Sequence, residues 1–159
     1  QSSYRAMIEF LYSTGVRVSE MAALDVKDIE MGRQELIVYG KGSKERKTYL
    51  TDSAKFYLKR YLKDRNAQDF EPLFGAEHYP DRRLTVAGIQ YMLRQLGARA
   101  GVEKTHPHRF RRTIATDLLA RGMPIEQVKE FLGHEKLDTT LIYCTVKEEQ
   151  VKASHRKYA

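Results

Sequence analysis

Glycine and proline divide the second half of the sequence into segments whose apolar residues recur at helical spacing. Three such segments cover residues 85–101, 107–122 and 124–133. In the first of them, positions i, i+3, i+7, i+10 and i+14 are Val86, Ile89, Leu93, Leu96 and Ala100. This is the spacing of one helix face, and proline and glycine favour helix starts and ends respectively. The pattern therefore predicts three successive helices.

One region of the sequence has the composition of β-strands. Residues 35–39 and 47–51 are rich in β-branched and aromatic side chains, and a polar loop containing glycine joins them. Helical spacing of apolar residues occurs on both sides, over residues 4–13 and about 53–65. The sequence predicts an α+β fold that is mainly helical, with one small antiparallel sheet formed by a hairpin at about residues 35–51.

The C-terminal region continues the helical pattern. A short helix is predicted over about residues 138–143, and the charged tail from Lys147 to Lys157 also favours a helix. At 159 residues the chain is expected to form a single domain. Because the helix over residues 4–13 begins without a capping residue, we expect a fragment of a longer protein.

The charge balance favours a polyanionic partner. The sequence contains 28 Lys and Arg residues against 21 Asp and Glu residues, a net charge of +7. Nucleic acid is the commonest partner of such a chain, although many basic proteins bind none. No apolar run approaches the roughly 18 residues of a membrane span, so we expect no membrane contact. The single cysteine, Cys144, excludes an internal disulfide, and the sequence predicts a cytoplasmic protein.

Several basic residues suit chemistry on a phosphodiester. Attack on phosphorus builds negative charge on the nonbridging oxygens, and the leaving oxygen needs a proton. Arginine meets the first demand because its planar fork donates two N–H bonds to one phosphate. Arg17 and Arg111 are the candidates, although either alone could be an ordinary surface arginine. Glu20 lies one helical turn from Arg17 and either holds its guanidinium group or forms a surface pair.

The proton donors and the nucleophile have candidates as well. Lys41 lies in the predicted hairpin turn, where it either protonates a leaving alkoxide or is simply solvated. His108 is expected to share a helix face with the arginine three positions later, and His134 is a candidate phosphate donor. Tyr143 is the candidate nucleophile, since a nearby base and cations can activate a phenol. No clustered carboxylates suited to Mg²⁺ occur among these candidates, so we expect neither metal nor cofactor.

These residues belong to short motifs that occur in one order along the chain. The motifs are T-G-V-R-V-S-E at 14–20, G-K-G at 40–42, H-x-x-R at 108–111, L-G-H at 132–134, and Tyr143. The set resembles the catalytic domain of tyrosine recombinases, the phage integrase family. It is similar to the integrases of phages and conjugative transposons and to Xer-type recombinases. The resemblance covers essentially the whole chain.

The resemblance implies a site-specific DNA recombinase that cleaves DNA without metal through a 3′-phosphotyrosyl intermediate. Tyr143 would be the nucleophile, and Arg17 with Arg111 would clamp the phosphate. Lys41 would be the general acid for the departing 5′-oxygen. The partner would be double-stranded DNA, with a homotetramer assembled on paired sites.

The resemblance also assigns the remaining residues. His108 would assist proton transfer, His134 would be the second phosphate donor, and Glu20 would be a supporting acidic residue. Many relatives carry histidine at the position of Arg112. The basic side chains expected on DNA phosphates are Lys44, Arg46, Lys47, Arg109 and Arg112. Residues 1–159 would be a single, monomeric catalytic-domain fragment that lacks the N-terminal core-binding domain and the first catalytic-domain helices.

Two other functions remain compatible with parts of the sequence. A type IB topoisomerase has similar catalytic chemistry but relaxes DNA instead of exchanging strands. A non-catalytic helix-turn-helix module is a possible interpretation of residues 110–133. Such a module would have no use for the complete set around Tyr143.

Overall fold

A computed structural model describes residues 2–40, 42, 44–99, 107–133 and 138–159. Within these ranges the chain is mainly helical, which confirms the predicted fold class. The α-helices are α1 (Ser2–Thr14), α2 (Val18–Ala22), α3 (Asp52–Arg65), α4 (Val86–Arg99), α5 (Pro107–Ala120), α6 (Ile125–Leu132) and α7 (Thr139–Tyr158). The strands are β1 (Ile29–Glu30), β2 (Glu35–Tyr39) and β3 (Glu45–Tyr49), and a 3-10 helix covers Val26–Asp28.

The strands form one antiparallel sheet in the order β1-β2-β3. The predicted hairpin is confirmed as β2 and β3, with Glu35 opposite Tyr49 and Tyr39 opposite Glu45. Strand β3 begins at residue 45, two residues before the predicted start. Sequence patterning missed β1 because a strand of two residues has no alternation to detect.

Helix ends follow local capping chemistry. The Thr51 side chain accepts a bond from the Ala54 N–H at 3.2 Å and caps α3. The Asp138 carboxylate does the same for α7 by accepting from the Leu141 N–H at 3.0 Å. The helix predicted over about residues 138–143 and the helical tail predicted from Lys147 to Lys157 are both confirmed as helical, but they form one continuous helix of 20 residues. The predicted end of α4 at Gly101 lies outside the described residues.

Buried apolar side chains of the described residues form two clusters. One lies among α1, α2, α3, α4 and the sheet, and its large members include Met7, Phe10, Met21, Leu58, Leu73, Ile89 and Leu93. The other lies among α5, α6 and α7 and consists of Ile114, Ala115, Leu119, Val128, Leu132, Ile142 and Val146. The first cluster supports the motif at 14–20 and the hairpin, while the second supports α5 and the helix that carries Tyr143.

A helix that crosses a bilayer needs about 20 consecutive, predominantly apolar residues. None of the helices in the described part of the chain combines the length and the apolar composition needed to cross a membrane.

Candidate active site

The turn between α1 and α2 is held by buried threonines. The Thr14 hydroxyl donates to the Phe10 carbonyl at 2.7 Å, and the Thr48 hydroxyl of β3 donates to the Thr14 carbonyl at 2.6 Å. Both threonines are fully buried. These bonds fix the backbone that leads into Arg17, the residue that precedes the first turn of α2.

Arg17 points from this turn toward the end of α6. Its side chain is 19% exposed, and Nη2 donates to the Gly133 carbonyl at 2.9 Å. Its Nη1 lies 3.6 Å from Oε2 of Glu20, and its backbone N–H donates to Oε1 of Glu20 at 2.8 Å. These contacts fix the guanidinium group of Arg17 and turn it toward the protein, so Arg17 is not an ordinary surface arginine.

Arg111 reaches the same place from α5. Only 5% of the residue is exposed. Its Nε donates to the Gly15 carbonyl at 3.1 Å, and its Nη2 donates to the Leu132 carbonyl. The interpretation of Arg111 as a surface arginine is thus excluded.

The C-terminal end of α6 collects three arginines from three different elements. The carbonyls of three successive residues accept bonds: Phe131 from Arg46, Leu132 from Arg111 and Gly133 from Arg17. The last carbonyls of a helix lack intrahelical partners and carry partial negative charge, so they attract cations. This end of α6 therefore gathers positive charge. His134, the residue after Gly133 in the sequence, lies outside the described residues.

Glu20 is the buried carboxylate of this cluster. Its side chain is 3% exposed, and Arg46 donates to both of its oxygens, with Nη2 to Oε1 at 2.9 Å. Burial alone raises the pKa of Glu20, but the bonds from Arg46 and from the Arg17 N–H, together with their charges, bring the pKa below its ordinary value. Glu20 is therefore ionised at neutral pH. Its predicted support of Arg17 is present, but Arg46 is its main partner.

Tyr143 lies in the second turn of α7. Its ring is half-buried against the second cluster, and Nζ of Lys147 lies 5.5 Å from the ring centroid. His108 lies in the first turn of α5, one turn before Arg111, but its side chain is outside the described part. Lys41 also lies outside the described residues. The structure thus brings Arg17, Glu20 and Arg111 together. It places His108 on α5 and Tyr143 on α7.

The basic residues expected on DNA fall into two groups. Lys44, Lys47, Arg109 and Arg112 are exposed, and Nζ of Lys47 lies 3.1 Å from a Glu35 oxygen. Arg46 differs, because its side chain is only 12% exposed and bonds to Glu20 and Phe131. Its side chain is turned into the cluster, whereas the expected contact of these residues with DNA stays a prediction.

A groove of about 990 Å³ runs between the hairpin and α6. Cations from the hairpin line one side, and acidic side chains of α6 line the other. The lining includes Arg17, Lys44, Arg46, Lys47, Glu126 and Glu130. Within the described part of the chain, no group of three or more His, Cys, Asp or Glu side chains could hold a metal ion.

Known proteins resemble this chain in amino-acid sequence. Residues 1–150 match the protein family described as the phage integrase family. The tyrosine recombinase XerC of Leptospira interrogans is 42% identical over 156 residues, which cover 96% of this chain and 50% of the relative. The tyrosine recombinase XerD of Oceanobacillus iheyensis is 39% identical over 163 residues, covering 97% of this chain and 54% of the relative.

Solved structures share the fold. The crystal structure of XerA recombinase matches with a TM-score of 0.82 at 30% identity, covering 97% of this chain and 57% of that one. XerH site-specific recombinase, bound to palindromic difH substrate in a post-cleavage complex, matches with a TM-score of 0.75 at 26% identity, covering 97% and 45%. The chain spans about half the length of the curated relatives it matches. By this match over residues 1–150 and these relatives, the chain belongs to the phage integrase family, the tyrosine recombinases.

Proposed function

We propose that this chain is the catalytic domain of a site-specific DNA recombinase, with Tyr143 as the nucleophile. The observation that carries the proposal is the convergence of Arg17 and Arg111 on the end of α6. Two guanidinium groups held at one point suit the charge that develops on a phosphate under attack. Family membership and the named Xer relatives support the same reaction.

The proposed chemistry exchanges one phosphodiester for another. The phenolic oxygen of Tyr143 loses its proton, with assistance from His108, and attacks phosphorus. The bond from phosphorus to the 5′-oxygen breaks, and that oxygen takes a proton from Lys41. The product is a 3′-phosphotyrosyl ester and a free 5′-hydroxyl. Attack on the ester by the 5′-hydroxyl of a second strand reverses the steps and rejoins DNA without ATP.

The phosphate is stabilised by fixed charge in this scheme. Arg17 and Arg111 neutralise the nonbridging oxygens, and His134 adds a hydrogen bond. Glu20 keeps Arg17 oriented by its two contacts with that residue. We further propose that the reaction needs no metal, and that the full-length protein acts in the cytoplasm on double-stranded DNA as a homotetramer on paired sites. The solved complex of XerH with its difH substrate supports DNA as the partner.

Covalent trapping tests the function directly. Full-length protein is incubated with a nicked suicide substrate, from which the 5′-hydroxyl strand diffuses away, and the DNA-linked peptide is identified by mass spectrometry. We expect the adduct at Tyr143 and none with Tyr143→Phe, which still binds DNA. Tyr158→Phe is the matched control, since Tyr158 lies on the same helix and is 79% exposed. An adduct at another tyrosine would contradict the assignment.

Strand exchange separates recombination from topoisomerase activity. A plasmid carrying two copies of the recognition site yields a deletion or inversion only if strands are exchanged between sites. We expect these products from the wild type. Relaxation of supercoils without exchange on any paired sites would favour the topoisomerase alternative.

A further inference from the structure

The alternation of strand β3 turns the Arg46 side chain inward. Arg46 lies opposite Val38 of β2, and both share the inner face of the sheet with the buried Thr48. Lys47 and Tyr49 lie on the other face and are exposed. Among the described cations of this hairpin, Arg46 is therefore the one whose side chain is turned inward, where it bonds to Glu20 and to the end of α6.

Arg46 lies against two of the groups that contact Arg17. One is Glu20, whose two oxygens accept from the Arg46 fork, and whose pKa this bonding lowers despite burial. The other is Gly133, whose carbonyl accepts from Arg17. A Cβ atom at Gly133 would lie 3.1 Å from Cδ and Nε of Arg46, and φ is +73° there. A side chain at this position would therefore be strained and would displace Arg46.

The same side chain ties the hairpin to the helix end. Nε of Arg46 donates to the Phe131 carbonyl at 3.2 Å, so β3 is joined to the last turn of α6. The loop that carries Lys41 leads directly into β3, and His134 directly follows Gly133. Arg46 thus joins β3 both to the last turn of α6 and to Glu20, which also contacts Arg17.

We propose that Arg46 is a positioning residue for strand cleavage, which sets Arg17 and the end of α6 through its bonds to Glu20 and to the Phe131 carbonyl and does not bind DNA phosphate. The inference rests on the proposed recombinase function. A buried bidentate Arg–carboxylate pair suits this task because both partners have fixed geometry. Small displacements matter, since a shift of about 1 Å at a reacting centre can cost on the order of 100-fold in rate.

The test separates cleavage from binding in the full-length protein. Cleavage of the suicide substrate is followed under single turnover at saturating protein, and DNA affinity is titrated at several salt concentrations. For Arg46→Ala we expect the saturated rate to fall roughly 10- to 100-fold. The slope of log K against log salt concentration, where K is the association constant for DNA, should match that of the wild type. Loss of one phosphate contact would instead reduce the slope by about 0.9.

Matched variants show the results expected for loss of a phosphate contact and for loss of an uninvolved cation. Lys44→Ala removes an exposed cation of the same hairpin and should weaken binding and reduce the salt slope. Arg60→Ala removes an exposed arginine on α3 and should change neither quantity. Arg46→Lys keeps the charge but loses the fork. The Arg46→Lys variant should remain folded and cleave DNA slowly, so the test can still be made if Arg46→Ala does not fold.

Chemical rescue distinguishes positioning from general damage. Arg46 lines the groove, so its removal leaves a space open to small solutes. Guanidinium at low, non-denaturing concentration should accelerate Arg46→Ala, while methylammonium should not, because only guanidinium restores the fork on Glu20. A wild-type saturated rate with a slope reduced by about 0.9 would overturn the proposal. So would a folded, slow Arg46→Ala that guanidinium does not rescue. A wild type that forms no adduct would instead refute the recombinase function itself.

Discussion

Arg111 donates from Nε to the backbone carbonyl of Gly15 at 3.1 Å, so the H-x-x-R motif is bonded to a motif 96 residues earlier. The acceptor is a main-chain oxygen, which no substitution of Gly15 would remove. The bond also joins α5, which packs in one apolar cluster, to the turn after α1, which packs in the other. Arg111 therefore has a structural function in addition to its proposed contact with phosphate.

Removal of Arg111 should cost stability as well as activity. Arg111→Ala leaves the carbonyls of Gly15 and Leu132 without these donors, and bonds to charged groups contribute about 1.5–3 kcal/mol each. We expect the free energy of unfolding of the 159-residue chain to fall by about 2 kcal/mol or more, measured by urea denaturation. Arg112→Ala, at the exposed neighbour, should stay within about 0.5 kcal/mol of wild type. Equal losses of unfolding free energy in Arg111→Ala and Arg112→Ala would contradict a stabilising role of the Arg111 bonds.

Glu20 should contribute to the acid sensitivity of the fold. Its pKa in the folded protein lies below the ordinary value of 4.5, so its stabilisation is present above that value and is lost as pH falls through the folded pKa. Glu20→Gln should lower stability at neutral pH and make the decline below about pH 4.5 shallower than in the wild type. Urea midpoints across this range measure both effects. Glu149→Gln, which removes an exposed carboxylate of α7, is the control, and an acid limb unchanged by Glu20→Gln would refute the linkage.

Lys41 should act on the leaving group. A 5′-bridging sulfur departs without protonation, so Lys41→Ala should be slow on normal DNA and largely rescued on the phosphorothiolate. Arg17→Ala should not be rescued to the same extent, because the equatorial charge still needs neutralising. Single-turnover cleavage rates on the two substrates provide the comparison. If Lys41→Ala is equally slow on both, another donor must serve as the general acid.

DNA affinity should depend steeply on salt. Each neutralised phosphate contributes roughly 0.9 to the slope of log K against log salt. Lys44→Ala and Lys47→Ala should each reduce the slope by about that amount if both side chains contact phosphate. Lys59→Ala, on the exposed face of α3, serves as the control and should leave the slope unchanged. A near-zero slope in the wild type would mean that the basic excess is not used for DNA.

Chelators should leave strand cleavage intact. The proposed mechanism supplies positive charge through Arg17 and Arg111, which occupy the place that a metal ion holds in many phosphoryl-transfer sites. Covalent adduct formation by the full-length protein in excess EDTA is the measurement. Restoration of a lost activity by Mg²⁺ alone would refute the metal-free scheme.

Sequence patterning predicted the helices well because their signals are local. Proline at the start of α5 and glycine after α6 lie where the structure begins and ends those helices. The continuity of α7 lacks such a signal. The residues after Val146 are mostly exposed and form no apolar face, so periodicity could not show that the predicted helical tail continues the helix of Tyr143.

The inward position of the Arg46 side chain was not predicted, for a specific physical reason. Strand β3 was predicted to begin at residue 47, which left Arg46 in a loop where every cation faces solvent. The strand begins two residues earlier, and alternation then places Arg46 inside. Its partners Glu20 and Phe131 are 26 and 85 residues away in the sequence, and no local pattern encodes such contacts.

The two apolar clusters have a consequence for thermal inactivation. Arg17 adjoins one cluster, whereas Arg111 and Tyr143 lie on helices of the other, so the proposed catalytic geometry requires these two units to stay docked. Regions of a protein open with different free energies, and separation of two units requires less than global unfolding. Gentle heating should therefore abolish cleavage while most of the helical circular dichroism persists, and activity should return on cooling without refolding of either unit.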